Sequence, residues 1–377
     1  MKTLIFLDYF TPAFKAGGPI RIFEAVAKTA SPANSVRILT QDTDLGSSKP
    51  LEDVKSNTVQ KFANAEVTYV SSERRSLKAI RQLIADHGPT CIHLNSFFSR
   101  TWTMKVLLLR WIGAINARTF LSPHGEFAAS ALAIKSGRKR IFLHVGRAIG
   151  LFRGLHWIAT APKEVAEIRA LFGNSAKIEL IPPPFPTVYP HTSARKAKGK
   201  LRLIFFARLS AMKNIGFLLG VLPRVQGEVE FDIYGPVDPE YESTWNEIFG
   251  KLRELAAEKI RVSYKGPIPS SQSLATLSRY DLFVQPSLSE NFGFSIVEAL
   301  AAGTPVLISD RTPWNEINEV GLGAALSLDQ PDAWVQALQD YVDLEHEGWA
   351  KISERATKWV ESKDASGKEL HSIYMNT

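Results

Sequence analysis

Short apolar runs of strand length alternate along most of this chain with longer segments that have helical spacing. Two such helical segments, Pro19–Ala30 and Ser76–His87, each lie between apolar runs. Because strands that alternate with helices form parallel sheets covered on both faces, the pattern predicts an α/β fold. The predicted strands are Thr3–Phe10, Val36–Thr40, Glu66–Ser71, Cys91–Asn95, Arg118–Ser122, Leu155–Ala159, Ile178–Ile181, Leu201–Ala207, Val229–Tyr234, Arg261–Tyr264, Asp281–Gln285 and Pro305–Ser309.

A proline-rich sequence, Pro182-Pro183-Pro184-Phe185-Pro186, interrupts this alternation, since proline can continue neither a helix nor a central strand. The alternation then restarts, with helical segments at Ile215–Leu222, Glu242–Glu258 and Ser271–Ser278. Two doubly wound domains in tandem would face a central cleft, and ligands of open α/β sheets bind at such edges. We predict an N-terminal domain over 1–190, a linker over 191–200, a C-terminal domain over 201–350, and a helical segment over 351–377 that could cross back to the N-terminal domain.

Charge is distributed unevenly over the chain, whose formal net charge is +7. Residues 1–190 contain 25 Lys and Arg against 13 Asp and Glu, whereas the remainder contains 20 against 25. A basic N-terminal half indicates an anionic partner: phospholipid head groups, a pyrophosphate-bearing acceptor or nucleic acid. The acidic C-terminal half and the lack of a recognisable nucleic-acid-binding motif argue against nucleic acid.

Composition restricts the compartment and the kind of site. A single cysteine, Cys91, excludes a disulfide framework or a cysteine-rich metal site within the chain. No apolar run has the length of a membrane span, and Asp8 ends the first run too early for a secretory leader. We therefore expect a cytoplasmic protein, peripheral to the inner face of the cell membrane if it binds lipid.

One constellation of candidate functional residues follows the predicted strand Asp281–Gln285. Ser289 or Asn291 is expected to cap a helix that Gly303 and Pro305 end, and backbone amides at a helix start can hold an anion. Glu290 lies in the loop, and Glu298 lies two turns into an otherwise apolar helix. Their carboxylates could accept hydrogen bonds from sugar hydroxyls. The alternative is a glutamate favoured by the helix dipole and a solvated Glu298.

A second constellation, Phe206–Asn214, follows the predicted strand Leu201–Ala207. Arg208 could grip a diphosphate with a fork of donors, and Lys213 could add a mobile positive charge. Together they could stabilise the charge that builds on a departing diphosphate. The alternative is a pair of ordinary surface cations.

These residues resemble a known family. Glu290 and Glu298, eight apart and followed by Ala-Leu-Ala-Ala-Gly-Thr-Pro-Val, resemble the E-x7-E signature of retaining GT-B glycosyltransferases of family 4, the glycosyl transferases group 1. Arg208 and Lys213 are similar to that family's basic pair. Further positions that match it, and that the resemblance implies bind the nucleotide sugar, are Gly235, Gly266, Pro267, Asn291, Phe292, Gly293 and Phe294.

The N-terminal half shows the same resemblance. Gly17-Gly18-Pro19 resembles the family's glycine-rich loop, which lies near the donor phosphates. The sequence Ser122-Pro123-His124-Gly125-Glu126-Phe127 is similar to a segment of exopolysaccharide-type members, which implies that His124 hydrogen-bonds a sugar hydroxyl. Asn95 replaces the second histidine of the family's His-x-His-Ser segment, so the role of position 95 is open.

The resemblance implies a retaining glycosyltransferase that moves a sugar from a nucleotide-diphosphate sugar to a saccharide or lipid-linked saccharide, in exopolysaccharide or cell-surface glycan biosynthesis. It implies neither a bound metal nor a cofactor; His124, Arg208, Lys213 and Glu290 would carry the chemistry, and Glu298 would accept from the ribose. A sugar-nucleotide epimerase of the same fold and a basic nucleic-acid-binding protein are the alternatives.

A cluster of cations could touch an anionic membrane surface. It comprises Lys135, Arg138, Lys139 and Arg140, with the apolar neighbours Leu132, Ile134, Ile141 and Phe142. A solvated amphipathic helix would have the same composition.

Overall fold

The computed structural model describes residues 1–31, 35–133, 136–189, 196–254, 260–363, 370 and 372. The chain divides into two compact units: unit 1 is Met1–Pro184 with Ser366–Thr377, and unit 2 is Phe185–Ala365. The division lies within the proline-rich sequence, and residues 191–195 of the predicted linker lie outside the described residues. So do Lys135 and Ile134.

Unit 1 contains an eight-stranded sheet in the described residues, in the order β3-β4-β2-β1-β5-β6-β7-β8. The strands pair in parallel except β3, which is antiparallel to β4. The order reverses between β1 and β5, and loops that leave such a switch point part to opposite faces and open a crevice for a ligand. The strands are β1 Lys2–Phe6, β2 Ser35–Gln41, β3 Val59–Phe62, β4 Ala65–Val70, β5 Cys91–Asn95, β6 Arg118–Ser122, β7 His156–Ala159 and β8 Lys177–Leu180.

The helices of unit 1 bury an apolar face against this sheet. In the second, Ser76 caps the N-terminus by accepting from Ala79 N, and Gly88 ends the helix in a left-handed conformation. The core contains Phe6, Phe97 and Trp102, all fully buried. The helices are α1 Gly18–Thr29, α2 Leu77–His87, α3 Thr103–Trp111, α4 Ala129–Ala133, α5 Ser136–Ala148 and α6 Pro162–Phe172.

Unit 2 contains a six-stranded parallel sheet in the described residues, in the order β11-β10-β9-β12-β13-β14. Its order reverses between β9 and β12, which makes the loops after these two strands the switch point of this sheet. The strands are β9 Lys200–Phe206, β10 Glu228–Tyr234, β11 Ile260–Gly266, β12 Leu282–Gln285, β13 Val306–Ser309 and β14 Gly323–Leu326. The helices are α7 Glu242–Glu254, α8 Ser273–Leu277, α9 Phe294–Ala301, α10 Ile317–Val320, α11 Pro331–Asp343 and α12 His346–Glu361.

Both units therefore have the doubly wound α/β architecture that the sequence predicts. The segment Ile215–Leu222 differs from its predicted α-helix and forms 3₁₀ turns at Ile215–Gly220 and Leu222–Arg224. Gly216 and Gly220 weaken a helix there, and Pro223 cannot donate a backbone hydrogen bond. No helix among the described residues is both long and apolar enough to cross a membrane.

Candidate functional site

The loops after β9 and β12 are joined directly at the switch point of unit 2. The amide of Leu288 donates to the carbonyl of Met212 at 2.8 Å, and the Lys213 ammonium donates to the Glu290 carboxylate. The two constellations singled out in the sequence, about 80 residues apart, thus meet at one edge of the sheet.

One carboxylate oxygen of Glu290, Oε1, accepts every side-chain hydrogen bond that this residue forms with the described part of the chain. Besides Lys213, Gln285 Nε2 donates to Oε1 at 2.6 Å and Ser287 Oγ donates at 2.7 Å. The carboxylate is nearly buried, so these donors replace the water that it would otherwise bind. Oε1 is held in place, and Oε2 is left to accept from a ligand.

Gln285 extends this network to the helix that follows. Its Oε1 accepts from Ser295 Oγ at 2.8 Å, so the Gln285 amide connects Glu290 to the first turn of α9. Sequence reasoning did not select Gln285, Ser287 or Ser295. The signal was present, because Gln285 is a polar residue that ends the buried apolar strand β12 at its carboxyl edge.

The helix α9 begins later than predicted. Its N-cap is Gly293, in the left-handed conformation with φ 78° and without a side-chain cap, so the prediction that Ser289 or Asn291 caps it is wrong. The left-handed backbone conformation favours glycine, and a Cβ at Gly293 would lie 2.8 Å from Ile296 Cδ1. The helix ends at Ala301, before Gly303, as predicted.

The phenylalanines beside this N-cap lie in an aromatic cluster. Phe292 is buried against Phe185, Phe294 and Trp314, with ring centroids 4.8 to 5.9 Å apart. The Trp314 indole donates to the carbonyl of Phe292. The cluster thereby fixes the backbone that leads into α9, and Phe294 remains partly exposed at its first position.

Glu298 is 1% exposed, within a helix whose neighbouring residues are also buried. The alternative of a solvated Glu298 is therefore wrong. Burial of a carboxylate costs free energy because the charged group loses its hydration. A buried glutamate is therefore a candidate for a functional site and not only a packing residue.

Arg208 differs from Lys213 in its surroundings. It is exposed, just beyond the end of β9, and its guanidinium forms no hydrogen bond or ion pair with the described residues. Of the two cations predicted to hold a diphosphate, Lys213 is thus engaged with Glu290 and Arg208 is available.

Gly235 and Gly266 lie at the carboxyl ends of β10 and β11. The amide of Gly235 donates to the carbonyl of Gly266 at 3.0 Å. Gly235 has φ 139°, and a Cβ there would lie 1.9 Å from the carbonyl oxygen of Ala207, so the close approach of the β9 and β10 ends requires glycine. Gly266 has φ 75° but open space around it, and Pro267 beside it is exposed.

In unit 1 the glycine-rich loop leads into a helix. Gly17, with φ 87°, is the N-cap of α1, and Gly18 is its first residue. No side chain caps this helix, and a Cβ at Gly17 would meet no atom within 4 Å. This helix start follows the loop after β1 at the switch point, but Pro19 has no N–H and the amide of Ile20 donates to the carbonyl of Gly17 at 3.2 Å, so the amide of Gly18 is the candidate for an anion.

His124 lies in the turn after β6, and a neighbour fixes its tautomer. Its Nε2 is 2.9 Å from Asn95 Oδ1, while Asn95 Nδ2 donates to the carbonyl of Phe6 at 3.1 Å. A carbonyl can only accept, so the Asn95 amide nitrogen faces Phe6 and its oxygen must receive the His124 Nε2 proton. Burial lowers the pKa of His124 to about 4, and Nδ1 therefore carries a lone pair at neutral pH.

A buried glutamate holds the same turn. Glu164, in the first turn of α6, accepts from the amide of Gly125 at 2.6 Å through Oε1. Its Oε2 accepts from the amide of Thr160 at 2.7 Å and from the Thr160 hydroxyl at 2.8 Å. Because His124 has a strained φ of 52°, this anchor on the next residue helps to keep the imidazole in place. Glu164 was not selected from the sequence.

The predicted cluster of membrane-binding cations is only partly exposed. Lys139 folds inward, where its ammonium donates to the carbonyl of Ala131 at 2.6 Å and lies 5.0 Å from the Phe98 ring centroid. Leu132 and Phe142 pack against the core of unit 1. Arg138, Arg140 and Ile141 are exposed, whereas Lys139, Leu132 and Phe142 face the protein. Contact of this segment with a membrane stays a prediction.

Metal ligands do not cluster in the described part of the chain. No group of three or more His, Cys, Asp or Glu side chains there is arranged to hold a metal ion. The groups at the two switch points that could receive an anion are Arg208, Lys213 and the helix starts at Gly17 and Gly293.

The chain is similar to known proteins in sequence and in fold. The chain is 33% identical over 125 residues to D-inositol 3-phosphate glycosyltransferase of Corynebacterium glutamicum (strain R); the match covers 32% of this chain and 29% of that relative's length. Sucrose-phosphate synthase from Thermosynechococcus elongatus has a TM-score of 0.76 at 19% identity, covering 100% of this chain and 98% of that chain. HepE of Anabaena, solved with UDP and glucose, has a TM-score of 0.75 at 17% identity, covering 100% of both chains.

A family model gives the more specific result for unit 2. Residues 191–359, which include β9 to β14 and both constellations of the switch point, match the family described as Glycosyl transferases group 1. The solved structures place the two Rossmann-like units in the GT-B fold class. Residues 191–359 of this chain are thus a glycosyl transferases group 1 domain, in a protein of GT-B fold.

Proposed function

We propose that this protein is a retaining glycosyltransferase of family 4, which moves a hexose from a nucleotide-diphosphate sugar to a saccharide or lipid-linked saccharide in exopolysaccharide or cell-surface glycan synthesis. The observation that carries the proposal is the Lys213–Glu290 pair, fixed by Gln285 and Ser287 at the switch point of a glycosyl transferases group 1 domain. HepE, one of the structures with the same fold, was solved with UDP and glucose.

The charges at this edge suit a nucleoside diphosphate. Arg208 and the amides at the start of α9 would donate hydrogen bonds to the phosphate oxygens. Lys213 would add its positive charge when the phosphate replaces Glu290 as its partner. Glu298 would accept from the ribose hydroxyls, and Oε2 of Glu290 from a hydroxyl of the donor sugar. The leaving diphosphate would thus be stabilised as the glycosidic bond breaks.

Unit 1 contains a neutral acceptor of hydrogen bonds in the turn after β6. The Nδ1 atom of His124 makes no hydrogen bond with the described residues, and its lone pair could receive a sugar hydroxyl. We assign no general base; the departing phosphate would take the proton of the attacking hydroxyl, as the family resemblance implies.

A ligand panel tests the donor first. Thermal shifts with nucleotides and nucleotide sugars identify the preferred base, because a ligand that binds the native state raises its apparent stability. The preferred donor is then incubated with and without a saccharide acceptor, and NMR follows the anomeric proton. Transfer with the donor's anomeric configuration is expected. Inversion would contradict a retaining mechanism, and an epimerised donor without acceptor would identify an epimerase.

A further inference from the structure

Exposed apolar side chains concentrate on one face of unit 1. Six large ones, between 40% and 65% exposed, lie on α3 and α5 or just after them: Leu108, Trp111, Ile112, Ile141, Val145 and Ile149. The other five large apolar side chains that are exposed among the described residues, between 36% and 51%, are scattered over both units. We call the six residues the α3–α5 face.

The six side chains form stripes on their helices. Trp111 and Ile112 lie three and four residues after Leu108, and Ile141, Val145 and Ile149 recur every fourth residue. Ile149 continues the turn of α5, since its amide donates to the carbonyl of Val145 at 3.0 Å. Each helix thus presents an apolar stripe to solvent in addition to the one that packs on the sheet.

The two stripes meet. The Trp111 indole donates to the carbonyl of Ile149 at 2.9 Å, and the Arg110 guanidinium donates to the carbonyl of Arg153 at 2.7 Å. The crossovers β5-α3-β6 and β6-α5-β7 run in the same direction along the sheet, and right-handed crossovers of this kind lie on one face. The apolar surface is therefore continuous across the two helices, which a soluble monomer rarely exposes.

The surrounding charge has one sign. Residues 96–153 contain ten Lys and Arg but a single acidic residue, Glu126, and this carboxylate accepts internally from Ser96 Oγ at 2.5 Å and from the amide of Phe98 at 3.1 Å. Arg138, Arg140 and Arg147 are exposed on α5, and helical spacing places Arg138 on the same side as Ile141 and Val145. A protein partner would have to supply both an apolar and an acidic surface, whereas an anionic lipid bilayer presents both at once.

We propose that the α3–α5 face binds an anionic phospholipid surface, with Trp111, Ile112, Ile141, Val145 and Ile149 in the interface and the arginines on the head groups. Tryptophan suits this place because its ring is apolar and its N–H remains polar. The cations Lys135 and Lys139 are not needed for this surface. The inference does not depend on the proposed transferase activity, since vesicle binding is measured without substrate.

Vesicle co-sedimentation tests the apolar part. The full chain is spun with phosphatidylcholine vesicles alone and with vesicles that also contain phosphatidylglycerol. The variant Ile112→Gln/Ile141→Gln/Val145→Gln is compared with a control, Val59→Gln/Leu180→Gln/Val320→Gln, which changes three apolar side chains exposed elsewhere. We expect about a ten-fold or greater loss of partitioning onto anionic vesicles in the first variant alone. Equal binding by both variants, or no binding by the wild type, would overturn the proposal.

Two further measurements separate lipid from other occupants. Brominated lipids should quench the fluorescence of the wild type more than that of Trp111→Phe; equal quenching would place Trp111 outside the bilayer. Sedimentation velocity without lipid should give a monomer for both the wild type and the patch variant. A wild-type dimer that the patch variant abolishes would identify a second copy as the occupant instead. Circular dichroism checks that the exposed substitutions leave the fold unchanged.

Discussion

Asn95 and His124 form a hydrogen bond of 2.9 Å that leaves only one orientation for each side chain. Asn95 Nδ2 is committed to the carbonyl of Phe6, so Oδ1 receives the imidazole proton from Nε2. Asn95 thus sets the tautomer of its neighbour.

We expect the His124 ring to be neutral and protonated on Nε2 at pH 7. Because burial lowers its pKa to about 4, it should stay neutral as pH falls through 6.5 and take up a proton only near pH 4. Nitrogen-15 NMR of labelled histidine reports both the tautomer and the titration. In Asn95→Ala the Nε2 partner is lost and a mixture of tautomers should appear. A His124 titration near 6.5 in the wild type would contradict this.

Arg208→Ala and Lys213→Ala should each lower kcat by an order of magnitude or more, since loss of one preorganised charge donor costs on the order of 10²–10³ in rate. Their effects should be strongly non-additive if both act on one diphosphate. Arg224→Ala is the control, because that exposed arginine pairs with Asp332 on the surface. Near-wild-type turnover of either single variant with donor saturating would remove that cation from the site.

Glu298→Gln should weaken nucleotide binding, because the amide keeps the volume but accepts through one oxygen instead of two charged ones. The conservative change matters here, since Glu298 is buried and truncation to alanine would leave a cavity as well. Calorimetry with the preferred nucleotide measures the affinity, and thermal unfolding without ligand checks stability. Unchanged affinity would show that Glu298 does not contact the ribose.

Gly235→Ala and Gly266→Ala form a matched pair at neighbouring strand ends. Both glycines have positive φ, 139° at Gly235 and 75° at Gly266, where an L-residue would be strained by roughly 1–3 kcal/mol. Only at Gly235 would the Cβ also meet a backbone carbonyl, so this variant should lose roughly 1–3 kcal/mol more. Urea unfolding of the two variants measures the difference. Equal stabilities would mean that the ends of β9 and β10 can separate without cost.

Local sequence patterns were enough to predict the fold, but they predicted only part of the candidate site. Cys91–Asn95 and Arg118–Ser122 are strands with the predicted bounds, and in each of them apolar residues lie at buried positions. The strand β14, Gly323–Leu326, was missed because glycine and alanine have little β-propensity. β3, an edge strand of four residues, gave a signal too short to recognise.

Site residues were found where the chemistry is local. Glu290 and Lys213 were selected for their places after strands, but their pairing joins residues far apart in sequence and depends on β9 lying beside β12. The N-cap of α9 was misassigned because side chains that could cap are present at Ser289 and Asn291, whereas the backbone turns at Gly293. Glu164 gave no signal, since its role depends on the turn after β6 coming close to α6.

In the proposed reaction, the carboxylate that holds Lys213 would also affect how the spent nucleotide leaves. Before a ligand arrives, Glu290 neutralises the ammonium at close range, so a nucleoside diphosphate must compete with an internal anion for that charge. In the proposed reaction this competition would limit how tightly the spent nucleotide is retained, and it would favour the intact donor if a sugar hydroxyl donates to Oε2. The variant Glu290→Gln would lose the negative charge that pairs with Lys213. The released nucleotide would then bind more tightly, and product inhibition would limit turnover.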